Sequence, residues 1–146
     1  MRERAIERLK RHDIKPSEQR IVIMQYLLTH HNHPTADIIY SELAPSMPTL
    51  SKTTIYNTLK LLANHGAVTE MTIDKRNAHY DFDTVPHSHF MCRQCGKIID
   101  MPPDDTAAEP GASYHNSRSE QNGIQFVIEE TEINYRGLCG DCLQKE

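Results

Sequence analysis

Tryptophan is absent, and only 6% of the residues are aromatic. No apolar run is long enough to cross a bilayer, which excludes a membrane-spanning role. Eight prolines and six glycines are too few for a collagen-like or low-complexity chain. The first twelve residues, MRERAIERLKRH, are charged and no apolar stretch follows them, so no secretory signal is expected and the expected location is cytoplasmic. A chain of 146 residues holds one ordinary domain or two small ones, not a large enzyme barrel. Cysteine is scarce too, but its four copies fall into two Cys-x2-Cys pairs, a pattern that in a reducing compartment points to metal before disulfides.

Net positive charge is also lacking: the whole chain carries -4. Divided along its length, however, residues 1–80 hold 11 Lys or Arg against 8 Asp or Glu, and residues 81–146 hold 5 against 12. The balance is +3 followed by -7, which suits a first module able to meet phosphates and an acidic second one.

Apolar periodicity predicts four helices in the first module. The first covers residues 2–11, with Ile6 and Leu9 inward. Ser17 caps a second running to Leu28, on the stripe Ile21, Met24, Gln25 and Leu28. A third begins at Pro34-Thr35 and carries Ile38, Ile39 and Leu43. The fourth follows the cap Ser51: Ile55, Leu59 and Leu62 form its inner stripe, leaving Lys52, Thr53, Tyr56, Asn57 and Lys60 outside, and Gly66 supplies a left-handed stop. Alternation from Val68 to Ile73, a turn at Asp74-Lys75-Arg76-Asn77 and a run from Ala78 to Asp83 predict a hairpin. Helices followed by a small hairpin make a winged helix-turn-helix, whose last helix enters the major groove. A helical cap on an unrelated domain shares the same periodicity.

The expected hinge lies at Asp83–Pro86, dividing the chain into 1–83 and 84–146. The second part reads as strands at His87–Cys92 and Lys97–Met101, one through Ile124, Phe126 and Ile128, and one around Ile133 and Tyr135. Residues 102–123 are almost free of aliphatic side chains and are expected as loop. A module of this size has too small a core to stand alone and needs a staple or a partner.

Cys92, Cys95, Cys139 and Cys142 have the spacing of two knuckles that present four thiolates to one tetrahedral ion. Four sulfurs select zinc or an iron–sulfur centre, and structural zinc is the better match because no redox motif accompanies them. A closed site of this kind leaves no open position for catalysis. Nine histidines form a second signal. His87 and His89 are two apart on a strand, hence on one face, and can ligate an ion together. His33 and Asp81, from the first module, and Asp100 are further candidates for an ion that bridges the modules. Imidazole with carboxylate suits Fe(II), Mn(II), Co(II) or Zn(II).

The ordered motifs His33-Pro34-Thr35-Ala36-Asp37, Ser51-Lys52-Thr53-Thr54-Ile55-Tyr56-Asn57-Thr58-Leu59, His79-Tyr80-Asp81-Phe82, His87-x-His89, Cys92-x2-Cys95-Gly96-Lys97-Ile98-Ile99-Asp100 and Cys139-x2-Cys142 closely resemble the ferric uptake regulator family of metal-dependent repressors. The resemblance covers nearly the whole chain from about residue 10 and is strongest to the peroxide-response branch. It implies an α+β fold: an N-terminal winged helix-turn-helix that binds DNA, and a small C-terminal α/β domain, holding the zinc knuckle pair, through which two chains dimerise. It implies structural zinc at the four cysteines and a regulatory Fe(II) or Mn(II) at His33, Asp81, His87, His89 and Asp100. Asp100 favours the peroxide branch, since iron-uptake members usually carry Glu there; a zinc-uptake regulator would more typically offer a cysteine. Bound iron would then lead peroxide to oxidise His33 or His87 and release the repressor from DNA.

The same resemblance implies that Thr54 and Tyr56 face bases, with Lys52, Thr53, Asn57 and Lys60 near phosphates or base edges. Lys15 falls where family members often place a minor-groove arginine. The operator expected is an A·T-rich inverted repeat of duplex DNA, read by a homodimer, with no membrane and no substrate beyond peroxide. The chain departs from the family in the polar segment 102–123 and in lacking a histidine in 124–135; Glu130 or Glu132 could take its place, but neither aligns securely with that position, and no third metal site is expected. Three rival readings remain: an iron-sensing repressor under reversible control, a hydrolase activating water at His87 and His89, and a zinc-stapled protein-interaction module. A five-ligand site leaves little room for a substrate, and the expectation is of a regulator, not an enzyme.

Overall fold

The computed structural model describes residues 1–85, 87–101, 118–129 and 131–145. The expected loop from 102 to 117, Glu130 and the hinge proline Pro86 lie outside the described residues. The chain divides into two compact units, Met1–Val85 and Pro86–Glu146. Among the described residues no helix is long and apolar enough to cross a membrane.

The first unit contains α1 (Arg2–Arg11), α2 (Glu18–Thr29), α3 (Ala36–Leu43) and α4 (Lys52–Asn64), then a hairpin of β1 (Thr69–Met71) and β2 (His79–Asp81). Three helices start on side-chain caps: Ser17 Oγ accepts the Arg20 N–H, Thr35 Oγ1 that of Ile38, and Ser51 Oγ that of Thr54. The fourth helix ends in a Schellman turn. Gly66, at φ 73°, donates to Ala63 O and Ala67 donates to Leu62 O, a path that a side chain at Gly66 would strain. α1 buries Ala5 and Leu9, with Ile6 only partly covered. The single stripe expected for α2 proves too narrow: Ile21, Ile23, Met24, Tyr26, Leu27 and Leu28 are all buried while Gln25 is half-buried, because this helix is enclosed on more than one side. α3 buries only Ile39, and Ile38 is exposed. α4 seats Ile55, Leu59 and Leu62 in the core as its periodicity requires.

The described residues of the second unit are mainly sheet. β3 (Ser88–Cys92) is central, antiparallel to β4 (Ile98–Met101) on one side and parallel to β7 (Asn134–Gly137) on the other. β5 (Arg118–Gln121) and β6 (Ile124–Val127) form a separate hairpin, and α5 (Gly140–Leu143) is a single helical turn. The strand Arg118–Gln121 corrects part of the expected loop. Its sequence, Arg-Ser-Glu-Gln, shows no apolar alternation, yet Asn122 (φ 52°) and Gly123 (φ 77°) give the two left-handed positions that a tight hairpin turn demands.

Candidate metal centres and nucleic-acid face

The four cysteines converge within the second unit because of strand pairing. β3 delivers Cys92, and the knuckle after it is closed by Gly96 N–H to Cys92 O at 2.9 Å and Cys92 N–H to Lys97 O at 2.9 Å. The parallel register sets Cys92 opposite Gly137, and Arg93 N–H donates to Gly137 O at 2.8 Å. That contact carries the chain leaving β7 straight into Cys139, the cap of α5, which presents Cys142 one turn later. All four Sγ atoms lie within 4.8 Å of one another. Cys95 Sγ and Cys139 Sγ are 3.7 Å apart. Tetrahedral zinc with bonds of about 2.3 Å needs sulfur separations of about 3.8 Å, so the cage fits that ion. Backbone N–H groups of Cys95 and Cys139 pull the Cys92 thiol well below its ordinary range, while burial pushes that of Cys142 up.

Each unit also holds a cluster of nitrogen and oxygen donors. In the first, His33 Nε2 lies 3.6 Å from Asp81 Oδ2, with both side chains buried. His33 occupies the left-handed region at φ 49°, uncommon without glycine though less so for His than for bulkier types. It is held there by the hairpin: Tyr80 N–H donates to Pro34 O at 3.0 Å, Thr35 pairs with His79, and His79 Nδ1–H donates to the His33 carbonyl at 2.6 Å. In the second unit the register of β3 and β4 sets His89 opposite Asp100. His89 Nε2 and His87 Nε2 lie 3.1 Å and 3.3 Å from the same Asp100 oxygen, and the two rings are 4.4 Å apart between centroids. The structure thus joins His33 with Asp81, and His87 with His89 and Asp100. Oxygen and imidazole donors fit Fe(II) or Mn(II), and they are chemically separate from the sulfur cage. Sequence reasoning gave no role to His79, whose signal was its place in the motif two residues before Asp81.

The outer face of α4 meets the nucleic-acid expectation unevenly. Tyr56 is 49% exposed, and Thr53 and Asn57 are open to solvent. Thr54 Oγ1 is tied to the Ser51 cap at 2.8 Å. Lys52 pairs with Asp37 at 3.3 Å and lies over the Tyr40 ring. Lys60 is held by Glu70 at 2.5 Å and packs over Tyr56. Lys15 is exposed, and its carbonyl accepts from Arg20 Nη1 at 2.8 Å. A groove of about 260 Å³ beside α4 brings Gln19 and Arg20 next to Thr54 and Asn57. The helical stripe of α4 did not single out those two α2 residues.

The profile of the ferric uptake regulator family matches residues 11–128. The peroxide-responsive repressor PerR of Staphylococcus aureus is 35% identical over 144 residues, spanning 98% of this chain and 92% of that protein. Among solved structures, PerR from Streptococcus pyogenes, described in terms of peroxide sensing and gene regulation, is 32% identical over 97% of this chain and 92% of that one, with a TM-score of 0.50. The ferric uptake regulator of Pseudomonas aeruginosa with manganese shares the fold at a TM-score of 0.71, with 19% identity over 93% of this chain and 98% of that one.

Proposed function

The chain belongs to the ferric uptake regulator family of metal-dependent regulators, and on that footing we propose that it is a cytoplasmic DNA-binding repressor that senses hydrogen peroxide. The observation that carries this reading is the pair of half-sites, His33 with Asp81 and His87 and His89 with Asp100, built from nitrogen and oxygen donors alone. In the proposal these five residues ligate one regulatory Fe(II) or Mn(II), while Cys92, Cys95, Cys139 and Cys142 hold structural zinc.

Residues 1–83 bind duplex DNA through α4 and the hairpin wing, and residues 84–146 pair two chains and complete the metal site. An exposed apolar set, Ile124, Phe126, Val127 and Tyr135, supports pairing with a second copy. Ligands drawn from both units make the relation between them depend on occupancy, and in a dimer that relation sets the separation of the two α4 helices. Only a separation near one helical repeat, about 34–36 Å or a multiple, lets both enter successive major grooves of an inverted repeat. A ligand specific for that arrangement populates it in proportion to its preference. In this reading Thr54 and Tyr56 of α4 serve the bases, and Lys52, Thr53, Asn57 and Lys60, with Lys15, serve phosphates or base edges.

Iron at the site would supply the electron transfer that opens the peroxide O–O bond. With that chemistry available, one peroxide oxygen would be inserted into an imidazole C–H bond of His33 or His87 and the other would leave as water. An oxidised ring is a poorer donor, and the half-sites separate.

The test loads anaerobically purified protein with Fe(II) or Mn(II) and measures binding to A·T-rich inverted-repeat DNA at fixed salt, before and after hydrogen peroxide. Binding lost only with iron, together with one oxygen added to His33 or His87 by peptide mass, supports the proposal. Iron-dependent binding that survives peroxide moves the protein to reversible iron sensing.

A further inference from the structure

His79 stands in a line of contacts that runs, wholly inside the first unit, from the hairpin turn to a metal-site residue. Nδ1–H donates to the His33 carbonyl at 2.6 Å, and Nε2 faces Asp74 Oδ2 at 3.1 Å. Asp74 Oδ1 in turn accepts Arg76 N–H at 2.9 Å, which fixes the turn itself. The side chains of His79 and Asp74 are 12% and 16% exposed, so water competes weakly for these bonds. The grip is on the backbone of His33 and leaves its ring directed at Asp81. Because His33 is left-handed at φ 49°, the orientation of that ring depends on what holds the adjoining peptide.

We propose that His79 is a positioning residue that couples His33 to the turn at Asp74–Asn77, so that filling the regulatory site orders the wing and a wing held on DNA tightens metal binding. The proposal rests on the reading of His33 as a ligand and of the hairpin as the wing. Linkage makes the two effects reciprocal. Removing an outer partner of a metal ligand characteristically costs about 10–100-fold in affinity. The two arms are separable: His79→Asn keeps a donor near the Nδ1 position and loses the reach to Asp74, whereas His79→Ala loses both.

The experiment uses full-length zinc-loaded protein, wild type and the variants His79→Ala, His79→Asn and His33→Ala. It measures Mn(II) affinity by competition with a chelator, and hydrogen exchange of the peptide spanning 72–80 with and without Mn(II). In wild type, Mn(II) slows exchange in that peptide. His79→Ala is expected to lose about 10–100-fold in Mn(II) affinity together with the metal-dependent protection. His79→Asn is expected to retain most of the affinity without the protection, a separation that mere loss of stability does not produce; it also serves if the alanine variant misfolds. Wild-type affinity and protection in His79→Ala, or equal loss of affinity in both variants, overturns the proposal. If instead wild type binds no Mn(II), or His33→Ala binds it as wild type does, the reading of the regulatory site has failed and the coupling falls with it.

Discussion

Cys95 Sγ stands 3.7 Å from Cys139 Sγ although the residues are 44 positions apart. That closure joins the β3–β4 knuckle to α5 at the far end of a unit whose buried apolar cluster, among the described residues, consists of Cys92, Cys139 and Cys142, with Phe90 and Leu138 packed partly against them. So small a core cannot offset the conformational entropy of the ordered residues. Structural zinc sites contribute apparent free energies of about 10–16 kcal/mol at pH 7. Removing zinc with a strong chelator, or substituting Cys139→Ser, is therefore expected to unfold the second unit. Hydrogen exchange in β3 and β7 should become fast, while the far-ultraviolet helix signal, which comes from α1 to α4, is largely kept. Protected β3 amides in metal-free protein would show that the sheet does not need the ion.

How far the sequence discloses the structure depends on which force sets each element. Ser17, Thr35 and Ser51 announce their helices because capping is local chemistry, and the paired Cys-x2-Cys spacing announces the cage. The histidine pair was legible as a strand periodicity, but the contact of both rings with Asp100 depends on the register of β3 and β4, which the motif alone does not state. Periodicity reports one face of α2, whereas this helix is enclosed on more than one. β5 has no apolar signal, since its residues are polar; only Asn122-Gly123 marks it. The clamp of His79 on a main-chain carbonyl leaves no compositional trace.

Arg8 ties α1 to both ends of the hairpin. Its Nε donates to Ala67 O at 3.0 Å, Nη2 donates to Phe82 O, and the guanidinium lies over the Phe82 ring. Burial lowers its pKa, aided by Arg11 and Arg4 and opposed by Asp83 and Asp81. Arg8→Met leaves those acceptors without a donor and is expected to destabilise the protein by about 2–4 kcal/mol in urea unfolding. Arg8→Lys should recover only part, since an ammonium lacks the planar fork that reaches two carbonyls. A loss under about 0.5 kcal/mol for Arg8→Met would show that the contacts contribute no more than ordinary surface ones.

Asp74 gives the hairpin a pH dependence. The Arg76 N–H and then His79 hold its carboxyl below the usual carboxylate range. A depressed folded value means a contribution fully present above the unfolded pKa, about 3.9, and lost as pH falls through the lower folded one. Asp74→Asn should thus be less stable than wild type at neutral pH, with the difference closing only as acid titrates the carboxyl. Denaturant unfolding of both proteins across that range measures it; a difference that stays constant into acid would mean that Asp74 acts through shape and not charge.

Glu70 restrains a cation on the proposed DNA face. Lys60 Nζ lies 2.5 Å from Glu70 Oε1, and the pair raises the pKa of the lysine, the hydrogen bond to Glu70 being the main cause. Held in this way beside Tyr56, Lys60 already has its charge met and releases little counterion on reaching a phosphate. Glu70→Gln removes the competing carboxylate and keeps the side-chain shape. The variant is expected to bind operator DNA more tightly and to steepen the slope of log affinity against log salt by about 0.9, the contribution of one phosphate contact on duplex DNA. Lys60→Ala in the Glu70→Gln background should return the slope to the wild-type value, whereas in the native background it should change the slope little. Titrations at four or five salt concentrations separate these outcomes. An unchanged slope in Glu70→Gln would place Lys60 away from the phosphates, and a steep loss for Lys60→Ala alone would mean that DNA displaces Glu70 without help.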